Sequence, residues 1–101
     1  MIKEEFNPPL DAGIARAVHI LRAAGVETFE SCQGGSGHSY PKPTVRFHGN
    51  VGAGYHALGI ALIHALPVSE LRRTWSIEDK CPTGPYWELV FWKQMITISK
   101  N

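Results

Sequence analysis

An excess of charge of either sign is the first thing this sequence lacks. Ten Lys and Arg stand against nine Asp and Glu over 101 residues, a formal net charge of +1. The basic residues are scattered, and Arg72-Arg73 is their one adjacent pair. A domain that grips long nucleic acid displays a basic stripe or patch, so no long nucleic acid is expected as partner. A mononucleotide or another small anion needs only a few local donors and stays open. Cysteine is scarce too. Cys32 and Cys81 are the only two, which excludes a disulfide-dense scaffold and suits free thiols in a reducing compartment. Spacings typical of metal ligands are missing: there is no Cys-x-x-Cys, no His-x-x-x-His and no His-Glu-x-x-His. Cys32, His38, His48 and Cys81 could in principle surround a zinc ion, but no metal and no cofactor is expected. Long hydrophobic runs are absent as well. Ala57 to Val68 is the longest mainly apolar stretch, broken by His64 and Pro67 and too short to span a bilayer. Met1-Ile2-Lys3-Glu4-Glu5 is followed by no apolar run of the signal-peptide kind. The expectation is a cytoplasmic protein without a membrane partner.

What is present reads as one compact domain over residues 1–101, 44% hydrophobic and 19% charged, with an extended arm at 1–9 and a possible extension at 94–101. Asp11 is a plausible N-cap for a helix running to Ala24. Ile14, Val18 and Leu21 give that helix one apolar stripe, and Gly25 ends it. Val26 to Ser31 and Thr44 to His48 read as strands, the second with Val45 and Phe47 on one face and Arg46 and His48 on the other. A second helix over Val51 to Ala65 has Val51, Tyr55, Leu58 and Leu62 spaced for one face. Val68 to Ile77 and Tyr86 to Lys93 are two further strands, with Glu78 to Pro85 as the turn between them. The order α-β-β-α-β-β predicts an α+β fold, two helices packed on one face of a largely antiparallel sheet of four to five strands.

One stretch departs from this regular pattern. Glu30-Ser31-Cys32-Gln33-Gly34-Gly35-Ser36-Gly37-His38 places three glycines, two hydroxyls, a thiol and an imidazole where no apolar residue intervenes. Such a backbone can turn through positive φ and approach a ligand closely, and its N–H groups can converge on an anion. At least one of Gly34, Gly35 and Gly37 is therefore expected at positive φ. The loop is neither a P-loop nor a dinucleotide fingerprint. The predicted ligand-binding set is Ser31, Cys32, Gln33, Gly34, Gly35, Ser36, Gly37 and His38 with Arg46, His48, Thr83 and Tyr86. An arginine fork suits phosphate or carboxylate, and Tyr86, Trp75, Trp87 and Trp92 offer rings for a base to stack on. Catalytic candidates are His38 and His48 as proton carriers, Cys32 as a nucleophile and Glu30 as a base.

Phe29-Glu30-Ser31-Cys32-Gln33-Gly34-Gly35-Ser36-Gly37-His38, continuing through Pro41 and Pro43-Thr44-Val45-Arg46-Phe47-His48-Gly49, resembles a family of small uncharacterised proteins from phages, prophages and bacteria. Pro82-Thr83-Gly84-Pro85-Tyr86-Trp87-Glu88 belongs to the same pattern. That resemblance implies that these loops act as a unit and brings no established activity. More remotely, Thr28-Phe29-Glu30-Ser31-Cys32-Gln33-Gly34 is similar to the Thr-x-Ser-Ser-Cys-Ser-Gly-Arg type motif of the wybutosine-synthesis tRNA methyltransferases, with Gly35 at the arginine position. It implies a related fold and a ligand-binding loop. The leading expectation is thus a protein that holds a nucleotide-like or other anionic small ligand without turning it over, used in the phage setting to sequester a host nucleotide immune signal. An enzyme acting on a nucleotide, hydrolase or methyltransferase-like, with His38 and His48 in acid–base roles, is the first alternative. A protein–protein inhibitor is the second. A homo-oligomer is compatible with each.

Overall fold

The computed structural model describes residues 10–95, so the expected arm at 1–9 and residues 96–101 of the extension lie outside the described residues. Six elements follow in the order α1 (Ala12–Ala23), β1 (Glu27–Cys32), β2 (Thr44–His48), α2 (Val51–Ile63), β3 (Val68–Glu78) and β4 (Cys81–Phe91). The four strands form one antiparallel sheet in the order β1-β2-β4-β3. Joined at its ends and reopened between β3 and β4, the chain would read β-α-β-β-α-β. Both helices lie on one face. Ile14, Ala17, Val18 and Leu21 of α1 and Ala57 and Ala61 of α2 share a single buried cluster with Val45, Phe47, Trp87, Leu89 and Phe91 of the sheet.

Local chemistry explains the helix ends. The α1 stripe recurs at i, i+4 and i+7 and is buried along its length. Gly25, at φ +88, stops the helix, with the N–H groups of Gly25 and Val26 donating to the carbonyls of Arg22 and Leu21. At the other end the side chain of Asp11 makes no cap bond. Gln33 supplies it from the β1–β2 loop, its Oε1 accepting from the Gly13 N–H at 3.0 Å. In α2 the cap is local, Asn50 Oδ1 accepting from the Ala53 N–H at 3.1 Å. Two contacts clasp the helices: Arg16 Nη2 donates to the His64 carbonyl at 3.4 Å and His56 Nε2 to the Ala24 carbonyl at 2.9 Å.

Two expectations need correction. Of the evenly spaced Val51, Tyr55, Leu58 and Leu62, only Leu58 packs against the core; the other three are exposed, and the buried residues of α2 are Gly54, Ala57 and Ala61. The sheet opposite carries Phe47, Trp87 and Phe91, so volume is conserved by placing small helix residues against large sheet residues. A Cβ on Gly54 would run into the Trp87 ring. The turn between β3 and β4 is also shorter than Glu78 to Pro85. Asp79 and Lys80, at φ +50 and +66, make a two-residue hairpin turn, and β4 starts at Cys81. Pro82 and Pro85 fit within a strand here because β2 pairs only with Val90 to Trp87, leaving that part of β4 with β3 on one side alone. The outer part of the β3–β4 hairpin is therefore an arm beyond the main sheet. Among the described residues, no helix is long and apolar enough to cross a membrane.

Candidate ligand-binding face

The sheet face turned away from the helices is polar, aromatic and ordered by strand register. Glu30, Arg46, Glu88 and Arg72 stand side by side on β1, β2, β4 and β3, forming a row of alternating charge. Arg46 Nε donates to Glu88 Oε2 at 2.8 Å and Nη1 to Glu30 Oε1 at 3.3 Å. Arg72 Nη1 lies 3.7 Å from Glu88 Oε1, and Arg72 also pairs with Glu70 at 2.8 Å. Glu88 is only 6% exposed, gripped from both sides. Burial opposes the charge on Arg46, but its bond to Glu88 and the charges of Glu88 and Glu30 more than offset this and hold its pKa above the usual value.

Beside this row sits an aromatic patch. A β-bulge between Thr28 and Glu30 inserts Phe29 as an extra residue, which turns its ring onto the outer face next to Glu30. Phe29 stacks on His48 with centroids 4.3 Å apart and lies 5.0 Å from the Tyr86 ring. His48 meets Tyr86 edge-on at 5.9 Å. The Arg46 guanidinium approaches the Tyr86 ring at 5.4 Å and the Tyr40 ring at 5.9 Å. Phe29 keeps 42% of its surface in solvent and His48 is exposed, so the patch presents ring faces and edges to whatever comes to it.

The glycine loop folds back over the same face. Tyr40 Oη donates to Glu30 Oε1 at 3.1 Å, and burial, followed by the Glu30 charge and partly opposed by Arg46, pushes its phenol up to about 12. Lys42 Nζ sits 4.3 Å above the Trp92 ring. Cys32, Thr44 and Val90, in register on this outer side, are buried although Cys32 and Val90 stand apart from the main core. Gly34, Gly35 and Gly37 all have positive φ, +79, +105 and +82. At Gly34 the backbone also lies close to the loop's own return limb, since a Cβ would fall 2.5 Å from the Lys42 carbonyl carbon and 2.6 Å from Pro43 N. Loop N–H groups are used internally: Gly34 donates to Cys32 Sγ at 3.4 Å, Gly35 to the Pro41 carbonyl and His38 to the Gly35 carbonyl.

The predicted site residues therefore fall into groups. Arg46, His48 and Tyr86 come together on the outer face. Cys32 and Gly34 are buried beneath the loop, half-buried Ser31 pairs with Val45, and Gln33 caps α1. Gly35, Ser36, Gly37 and His38 form the exposed loop tip, and Thr83 lies on the hairpin arm opposite Ser76. Cys32 and Cys81 are free thiols, one buried and one exposed. Among the described residues, no three His, Cys, Asp or Glu converge as metal ligands. Phe29, Tyr40 and Glu88 complete the face and were not in the predicted ligand-binding set. Glu88 was within reach of pattern reading, since it alternates with Tyr86 and Val90, but only the β2–β4 register sets it against Arg46. No protein-family model matches this chain, and no curated protein and no solved structure matches it either.

Proposed function

We propose that this protein binds a small planar, nucleotide-like ligand on the outer sheet face and holds it without turning it over. The observation that carries the reading is the Phe29, His48 and Tyr86 cluster, exposed on an antiparallel sheet face directly beside an arginine. Aromatic side chains on such a face stack with nucleobases, typically for about 1–3 kcal/mol per base. Glu30, half-exposed, offers a carboxylate to ribose hydroxyls or a base amino group. An acidic group on the ligand reaches Arg46 by displacing Glu30, while Glu88 keeps its grip on Nε. The alternating acids disfavour a long phosphodiester chain on this face. Within the phage resemblance, sequestration of a host nucleotide signal is the use we assign to such a holder.

The test is native mass spectrometry of protein purified from cells, with mass analysis of whatever is released on denaturation. A panel of mononucleotides and cyclic dinucleotides is then titrated while backbone and His48 ring resonances are followed. An intact nucleotide-like ligand is expected, with shifts centred on Phe29, His48 and Tyr86 and binding lost in Phe29→Ala and His48→Ala. Turnover of the ligand would select the enzyme alternative. Shifts confined elsewhere, or none with any member of the panel, would remove the outer face as a ligand site.

A further inference from the structure

The helix layer carries a surface that the ligand face does not explain. From Val51 to Ile63, α2 contains no Asp, Glu, Lys or Arg, and its one polar side chain, His56, is turned to the Ala24 carbonyl of the same chain. A helix apolar on all sides belongs in an interior, yet α2 fully buries only Gly54, Ala57 and Ala61, with Leu58 and Ile60 partly packed against the core. Ile63 is 78% exposed and Tyr55 68%, with Val51 and Leu62 also more than half exposed. At 3.6 residues per turn, Gly52 and Gly59 run down the middle of the exposed side. A Cβ on Gly59 would meet nothing within 4 Å, so this is an open strip with the apolar ridge of Val51, Tyr55 and Leu62 on one flank and Ile63, beside His56, on the other.

The hairpin arm continues the surface. Arg73 faces Trp87 and lies over its ring at 4.6 Å. The pairing is irregular between Thr74 and Ser76, where Trp75 stands against both Gly84 and Pro85; the extra residue is on β4, so β3 keeps its alternation and Trp75 and Ile77 fall on the side of Arg73. Trp87 Nε1 in turn donates to the carbonyl of Asn50, where α2 begins. Trp75 and Ile77 thus project on the helix side, just beyond the start of α2, and both are mostly exposed.

We infer that this surface is the interface of a homodimer, in which α2 packs on α2 of a second copy and the arm flanks the contact. Three features select a second copy as occupant. A strip lined by Gly52 and Gly59 beside the apolar ridge of Val51, Tyr55 and Leu62 is complementary to itself, as ridges-into-grooves packing requires. The helix has no charge, so two identical faces meet without like-charge repulsion and without calling for an oppositely charged partner. Covering Val51, Tyr55, Leu62, Ile63, Trp75 and Ile77 on both copies removes on the order of 1,500 Å² in total, the size of a stable specific interface. A membrane surface is the poorer match, because interfacial helices carry a Lys- and Arg-rich polar face and α2 has none.

Sedimentation equilibrium of the full chain tests this. The expected mass is twice the 11.2 kDa chain at micromolar concentration, falling to that of a monomer in Ile63→Glu and in Tyr55→Glu. Both variants alter exposed positions, so their circular dichroism should match the parent. Gly59→Cys in a Cys81→Ser background should form an intermolecular disulfide under mild oxidation, whereas a cysteine at Glu70 on the outer face should not. A monomeric parent, a dimer that survives both glutamate variants, or cross-linking through Glu70→Cys in place of Gly59→Cys would each overturn the inference.

Discussion

Arg46→Ala is the perturbation that best separates what the outer face does for the fold from what it does for a ligand. Viewed as an ordinary sheet-face substitution it would shift stability by about 0.5 kcal/mol or less. The structure gives a larger value. The Arg46 side chain is only 18% exposed and Glu88 just 7%, so alanine leaves a buried carboxylate without its 2.8 Å donor. Breaking a buried pair by removing one partner costs about 3–5 kcal/mol. Arg72 stays near Glu88 at 3.7 Å, but it is half-exposed and such a pair recovers less than about 1 kcal/mol. The expected loss is therefore about 3 kcal/mol, or on the order of 15 °C in Tm for a domain of this size. Urea unfolding followed by circular dichroism measures it. Replacing both partners, Arg46→Met with Glu88→Leu, should recover most of the loss, because apolar residues of similar volume need no compensation for desolvation. If Arg46→Ala unfolds within about 0.5 kcal/mol of the parent, the pair does not hold Glu88 and the reasoning fails.

The loop glycines should separate in the same assay. Gly37→Ala meets no neighbour and should lose only the positive-φ penalty of about 1–2 kcal/mol, whereas Gly34→Ala must also push back the Lys42–Pro43 backbone and should lose clearly more; equal losses would deny the close approach. Tyr40 gives a pH signature. Its phenol is raised from 10.0 to about 12 in the folded state, so its contribution to stability is complete below about pH 10 and is lost as pH rises towards 12. Ultraviolet titration should show late-ionising phenol absorbance, shared with Tyr86, whose pKa is also raised, by burial and then by Glu78. The Tyr40 part should vanish in Tyr40→Phe; an unchanged titration curve in that variant would separate Tyr40 from Glu30.

The elements were legible because their patterns are local. Ile14, Val18 and Leu21 mark one helical face, and the alternation of Val45 and Phe47 against Arg46 and His48 survives intact in β2. Reading failed where the decisive partner is distant in sequence. The orientation of α2 depends on the bulk of Trp87, thirty-three residues after Gly54, and spacing alone does not say which side of the helix turns inward. The α1 cap comes from Gln33 rather than Asp11, because a loop side chain brought over by β1 reaches the free Gly13 N–H. In the sequence Phe29 looks like an ordinary strand residue, because a bulge leaves no mark in the alternation until the register on β2 is known. The glycine loop joins β1 to β2 and all three of its glycines have positive φ, but the close approach at Gly34 is to the loop's own return limb, a contact of the chain with itself.

Arg46 serves the fold through Glu88 and faces the ligand through Nη1, so its removal perturbs both and cannot by itself assign a binding role. Phe29 and His48 are exposed and form no ion pair among the described residues, so their loss strands no charge there. Binding measured in those variants reports on the ligand face alone. The dimer proposed through α2 lies on the opposite side of the sheet, and a two-fold contact between helix layers directs both outer faces away from each other. Each copy then keeps an open site, which predicts one ligand per chain with independent binding. A dimer that bound a single ligand across its axis would place the site on the helix layer and contradict both readings at once.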